Sequence, residues 1–159
     1  MAAETQTSND ILQLVSFKIG KEEFGIDILK VQEINRMLNL TKVPNAPFYI
    51  DGVVNLRGRI IPIVNLRAKL GMERKEADRN SRIVVVELSG KTIGFLVDEV
   101  SEVLRIPESI TEQPPAMVAG VDSSFIRAIG KLEDRLLILL DLEKVLSAEE
   151  SNYLTSLTN

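Results

Sequence analysis

The sequence predicts a mainly β fold: two similar five-stranded β-barrels packed together, with short helices between strands and a helix at the C-terminus. One observation is residues 52–66, G-V-V-N-L-R-G-R-I-I-P-I-V-N-L, where two runs rich in Val and Ile flank Asn55-Leu56-Arg57-Gly58. This pattern reads as two strands joined by a tight, glycine-bearing turn that holds Arg57 at its tip. The other is an internal repeat. Residues 94–103 line up with residues 25–34, sharing Gly, Val, Glu and apolar ends, and residues 126–142 line up with residues 50–66. Leu132 then falls on Leu56, Arg135 on Arg59, Leu139 on Ile63 and Leu142 on Leu66. A duplicated unit of about five short strands, each closed into a barrel to remove exposed edges, accounts for the pattern.

The elements follow in order. Residues 1–10 are polar and read as a disordered tail. Residues 11–19 alternate as a strand, Gly20-Lys21-Glu22 turns, and residues 23–27 return as a second strand. Ile28, Val31 and Ile34 fall at helical spacing and predict one or two helical turns. Thr41-Lys42-Val43 is extended before Pro44, and a Pro-bearing loop leads into the 52–66 hairpin. Pro62 lies inside the second strand of that hairpin, which predicts a strand with an unpaired side. Residues 66–70 form a short helix stopped by Gly71, and the charged stretch 73–80 is a linker. Strand 83–88, turn 89–91 and strand 92–97 restate the opening hairpin, and Asp98 after it reads as an N-cap. Residues 111–124, with Pro114-Pro115, are irregular. Ser147 caps a last helix whose Tyr153, Leu154 and Leu157 share a face that covers a barrel end. The expected division is therefore a tail at 1–10, a first barrel at 11–80, a second at 81–146 and the helix at 147–159.

Composition narrows the function. The chain has 159 residues, enough to bury about 70% of its unfolded surface. Its longest apolar runs are far too short to span a bilayer, and the N-terminus has no signal-peptide pattern. With no cysteine and no histidine, thiolate and histidine metal sites and the Ser-His-Asp and Cys-His systems are closed, as is a phosphohistidine carrier. A cytoplasmic address and no cofactor are expected. Nineteen basic residues against 23 acidic ones, with only five Phe and two Tyr, argue against a nucleic-acid surface.

Residues 27–34 (D-I-L-K-V-Q-E-I), 52–66, 94–103 and 136–141 (L-L-I-L-L-D) resemble, in order, segments of the CheW family of chemotaxis coupling proteins. The resemblance covers residues 11–157. It implies two five-stranded SH3-like barrels and a protein without catalytic activity. Members of that family bridge the cytoplasmic tips of methyl-accepting chemotaxis receptors to the regulatory domain of the histidine kinase CheA. Carried over residue by residue, it implies a kinase-facing surface with Val31, Glu33 and Gly52, and a receptor-facing surface with Arg57, Ile83, Gly94 and Val103 around the groove between the barrels. The free protein is expected to be a monomer with no direct membrane insertion and no nucleic-acid partner.

Residue type alone gives some of these positions plainer roles. Val31, Ile83 and Val103 read as core positions, the preferred reading for Val103, and Gly52 and Gly94 as backbone accommodations at a bend or bulge. Arg57 at a hairpin tip has little packing reason to be there and reads as a contact that can fork onto a carboxylate. Glu33 can decorate a helix face beside Lys30. Two other functions compete: the same scaffold in a pilus-motility or developmental pathway, and a carboxylate-dependent hydrolase using Asp27, Asp98 or Asp141. The hydrolase needs two carboxyl groups at a set spacing in a pocket, and no motif supplies that pair.

Overall fold

The computed structural model describes residues 10–157; the tail expected over residues 1–10 lies outside them except for Asp10. The strands are β1 (Ile11–Ile19), β2 (Glu22–Asp27), β3 (Val31–Arg36), β4 (Ile50–Leu56), β5 (Arg59–Asn65), β6 (Arg82–Leu88), β7 (Lys91–Val97), β8 (Glu99–Pro107), β9 (Thr111–Glu112), β10 (Met117–Val118), β11 (Val121–Asp122), β12 (Ile126–Lys131) and β13 (Leu136–Leu140). Three short helices follow strands: α1 (Leu66–Lys69), α2 (Leu142–Val145) and the terminal α3 (Ala148–Leu157). One sheet runs β8-β1-β2-β13-β12-β9 and the other β3-β6-β7-β5-β4. The fold is mainly β, with two similar sheets packed together and a helix at the C-terminus.

The duplication is exact in register at the places where register is informative. β2 runs parallel to β13 with Gly25 opposite Leu139, and β7 runs parallel to β5 with Gly94 opposite Ile63. The ladder shifts between Val31 and Glu33 on β3, and the β8 ladder shifts at the matching place, opposite Ser16/Phe17. A second pair of shifts falls between Ile50 and Gly52 and between Ile126 and Ala128. Four bulges at equivalent positions come from a repeated backbone, since chance matching of apolar strands does not place irregularities in step.

The strand sets do not follow the division at residue 80. The hairpin β1–β2 joins β8, β12 and β13, while β3 joins β4 to β7. The reason lies in the joints. Only Ile28–Lys30 separates β2 from β3, and only Asp98 separates β7 from β8, so neither chain can turn back on its own sheet and each passes into the other. Each unit is therefore completed by strands from both halves.

Burial follows the same plan. Val54, Ile61, Ile63, Ile83, Val85 and Leu96 form a small core inside one unit, and Leu14, Ile106, Leu137 and Leu139 form its counterpart in the other. The opposite faces of the same central strands, with Phe17, Phe24, Val64, Val84 and Phe95 among them, meet in a larger core shared by both units. Strands covered on both faces need apolar residues at consecutive positions, hence the runs at residues 83–86 and 136–140. The β3-to-β4 sheet also curls toward closure: Thr41, beyond β3, exchanges two 2.9 Å backbone hydrogen bonds with Val53 of β4.

Five local expectations change. The helical turns stop at a 3-10 turn over Ile28–Lys30, capped by Asp27 Oδ1, which accepts from the Leu29 amide at 2.9 Å. From Val31 the chain is strand, because the β6 edge offers a ladder of valines; Val31 packs against the shared core while Ile34 is exposed. β5 is not an edge strand, yet its pairing with β7 begins only at Ile63, so the missing Pro62 amide falls where that side is open. Asp98 caps no helix; its carboxylate accepts from the Gly20 amide at 2.8 Å and from Arg67 Nε at 3.0 Å, tying the joint to α1 and to the β1–β2 turn. Within residues 111–124 the chain forms β9 and the small β10–β11 hairpin. The charged stretch 73–80 is pinned by Arg74 to the Phe48 carbonyl and to Asp51.

At the C-terminus Ser147 and Glu150 form a capping box, Glu150 N donating to Ser147 Oγ at 3.1 Å and Ser147 N to Glu150 Oε1 at 2.8 Å. Glu150 also accepts from Lys69 of α1 at 2.6 Å, and Leu154 is buried beneath the helix.

Two predictions follow from packing and charge. A Cβ at Gly94 would stand 2.6 Å from Ile63 Cδ1 and 2.9 Å from Ile83 Cγ2, whereas one at the equivalent Gly25 meets nothing nearer than 3.4 Å. Gly94→Ala should therefore lower stability by about 1–3 kcal/mol in urea unfolding, and Gly25→Ala clearly less. Burial raises the Glu150 pKa, but its hydrogen bonds to Lys69 and Ser147 outweigh this and hold it below its ordinary value. A lowered folded pKa gives stabilisation that is complete above the unfolded value and lost as pH falls through the folded one. Amide protection over residues 147–157, taken relative to the intrinsic exchange rate at each pH, should thus fall on acidification below about pH 4, and Glu150→Gln should show the reduced protection already at neutral pH.

Candidate functional site

The β4–β5 turn is a type I′ turn, with Arg57 at φ 53° and Gly58 at φ 84°. Asn55 Oδ1 accepts from the Gly58 amide at 2.9 Å and fixes the tip. This geometry carries the Arg57 guanidinium onto Glu33 of β3 in a two-pronged pair, Nη1 to Oε2 at 2.5 Å and Nη2 to Oε1 at 2.8 Å. Glu33 Oε1 also accepts from Asn35 Nδ2 at 3.1 Å. The Arg57 side chain remains 72% exposed and Glu33 24%. The hydrogen-bonded Arg57 holds the Glu33 carboxyl below its ordinary pKa, and Glu33 in turn raises that of Arg57.

β3 and β4 stand at opposite ends of their sheet, so the pair spans the seam of a nearly closed unit. It joins two residues that the resemblance had placed on separate partner surfaces. It also alters what Arg57 offers: two of its guanidinium nitrogens are already engaged within the chain, so a partner meets a guanidinium held in place and not a free fork.

The other expected site residues are distributed differently. Val31 begins β3 and is partly buried against the shared core. Gly52 is buried at the bulge, with φ 148° and its α-carbon so near the neighbouring chain that a Cβ would lie 2.6 Å from the Thr41 carbonyl oxygen. Its role in the fold is the close approach that lets Thr41 pair with Val53. Ile83 is 0% exposed and Gly94 faces the same small core; neither presents a side chain to a partner, since both line the inside of the unit. Val103 departs from the core reading, being 59% exposed because it lies on β8, which stands at the edge of its sheet among the described residues.

Other apolar side chains also reach the surface: Ile34, Ile60 and Leu136 on strands, and Leu29 and Phe48 in connections. The repeat pairs Ile34 with Val103 and Ile60 with Leu136, and a shared position in both copies was the one signal that could have marked the strand residues among them. Asp27 and Asp141 line one cleft with Lys30 and Glu143, but each accepts a backbone amide at a helix start, and Lys30 bridges Glu143 at 2.7 Å. Asp98 is held by Arg67. This arrangement caps helices and joins elements; it does not resemble an acid–base pair.

Among the described residues no helix is long and apolar enough to cross a membrane. A family model described as the CheW-like domain matches residues 13–150. The chain is 39% identical to the chemotaxis protein CheW of Klebsiella aerogenes, over 87% of this chain and 83% of the relative. It is 34% identical to CheW of Rhizobium meliloti, over 93% and 96%. Among solved structures, the scaffolding protein TtCheW of Thermoanaerobacter tengcongensis superposes with a TM-score of 0.82 at 33% identity, covering 89% of this chain and 96% of that one. Sequence, register and architecture agree, and the chain belongs to the family of CheW-like domains.

Proposed function

We propose that this chain is a non-catalytic chemotaxis adaptor, which in the cytoplasm couples methyl-accepting receptors to the regulatory domain of the histidine kinase CheA. The observation that carries the reading is the Glu33–Arg57 pair. An adaptor must present a defined surface without any chemistry of its own. The pair fixes an edge strand and a hairpin tip to one another, with Ile34 exposed beside them. An edge strand with an apolar residue and a held arginine offers a partner backbone hydrogen bonds, apolar area and directed charge together.

In this reading Val31 and Glu33 face the kinase domain, and Gly52 shapes the strand that supports them. Arg57 extends the same surface toward the receptor, Val103 contributes from the β8 edge, and Ile83 and Gly94 act by keeping the unit's interior compact. Transient signalling assemblies sit at the small end of interface sizes, and an affinity near the micromolar range is expected here.

Calorimetric titration with the CheA regulatory domain tests this. We expect micromolar binding, weakened about tenfold by Glu33→Lys, equivalent to about 1.4 kcal/mol, because the new ammonium repels Arg57 and releases the tip. The exchanged variant Glu33→Arg with Arg57→Glu should restore part of the loss, as coupled residues do in a double-mutant cycle. Binding indifferent to both variants would reject this surface; no complex at high concentration would reject the coupling to CheA.

A further inference from the structure

The duplicated units contain the same cleft, and only one copy has its charge balanced from within. In each, the parallel strands splay before their pairing begins, at Ile63 opposite Gly94 in one unit and at Ile138 opposite Phe24 in the other. By the register of the repeat, Arg59 and Thr92 in one wedge correspond to Arg135 and Glu23 in the other. Arg135 Nε donates to Glu23 Oε1 at 2.6 Å, Glu23 being 9% exposed, and Arg135 Nη2 reaches Glu102 at 3.2 Å. Arg59 has only a hydroxyl where Arg135 has a carboxylate: its Nη2 donates to Thr92 Oγ1 at 2.8 Å. Lys91, which corresponds to the acidic Glu22, binds Ser151 Oγ at 2.8 Å. Among the described residues neither Arg59 nor Lys91 forms an ion pair.

This second wedge is a cleft of about 430 Å³, with Ile60, Pro62, Ile93 and Leu154 as apolar lining and no acidic residue along it. We propose that it is a recognition site for an acidic peptide segment, whose carboxylate takes the place that Glu23 fills in the other unit. An incoming carboxylate would accept from Arg59 and Lys91 in charge-assisted hydrogen bonds. The apolar lining beside the cations suits a side chain carried next to that carboxylate, which favours a peptide over a free ion. The inference rests on the comparison of the two units and is independent of the kinase-facing surface.

The test follows amide resonances of the full chain during titration with a blocked pentaglutamate peptide, with blocked pentaglutamine and inorganic phosphate as comparisons. We expect saturable shifts at Gly58, Gly90 and Thr92 with pentaglutamate and none with pentaglutamine. Thr92→Glu, which rebuilds the internal carboxylate, should weaken the response about tenfold, as should Arg59→Gln; Lys91→Glu is a further variant if either disturbs the spectrum elsewhere. Phosphate that competes with the peptide at these amides supports the shared anion position. No saturable shift with pentaglutamate, even where phosphate saturates the site, or a response unchanged in the variants would overturn the proposal.

Discussion

The shared apolar core between the two sheets is the constraint on which the rest of this structure depends. Central strands β6 and β7, like β1 and β2, are buried on both faces, one toward the small core of their own unit and one toward the common core. Because the chain passes between units at Ile28–Lys30 and again at Asp98, neither unit holds a full set of strands from one half of the sequence. Separating them would expose the apolar surface of the shared core, while the chain still tied them together at both crossings. The relative placement of two distant surfaces is thereby built into the backbone, which is what a bridging protein requires of its scaffold.

The interior and the surface of the repeat have diverged at different rates of physical tolerance. Inside, Gly25 and Gly94, Leu139 and Ile63, and Leu14 and Ile83 keep equivalent places because a small closed core accepts little change in volume. At the tips, Arg57-Gly58-Arg59 corresponds to Glu133-Asp134-Arg135, and water tolerates the reversal of sign. The result is two units of one shape with different charge: one pairs its arginine internally with Glu23 and Glu102, and the other, among the described residues, leaves Arg59 without a carboxylate and commits Arg57 to Glu33.

Strands β1, β2, β4 to β7, β12 and β13, the tight turns, α1 and the capped C-terminal helix were legible because each has a local cause: alternation, a Gly at positive φ, or a Ser and Glu three residues apart. The apolar spacing of Ile28, Val31 and Ile34 misled because it mixes a core position with an exposed one across a bulge, and periodicity carries no sign of either. The exchange of strands was hidden since it depends on which edge is nearest when a joint is too short to turn. Among the site residues, Arg57 was readable from its turn, but its partner was not: Glu33 is distant in sequence and on the opposite edge of the sheet, so only closure of the unit brings the two together. Ile83 and Val103 look alike as valine-type strand residues, and burial separates them entirely.

The charges at the proposed surface also define how it can be controlled. Glu33 is held below the ordinary carboxylate range and Arg57 above its own, each by the other, and the chain contains no histidine. Nothing in the pair changes protonation between pH 5 and 8, the interval in which histidine would act as a switch. An adaptor of this kind cannot gate its contacts by titration. On the proposed surface, control has to come as geometry, through a partner that either fits the edge strand and the held arginine or competes with Glu33 for the guanidinium.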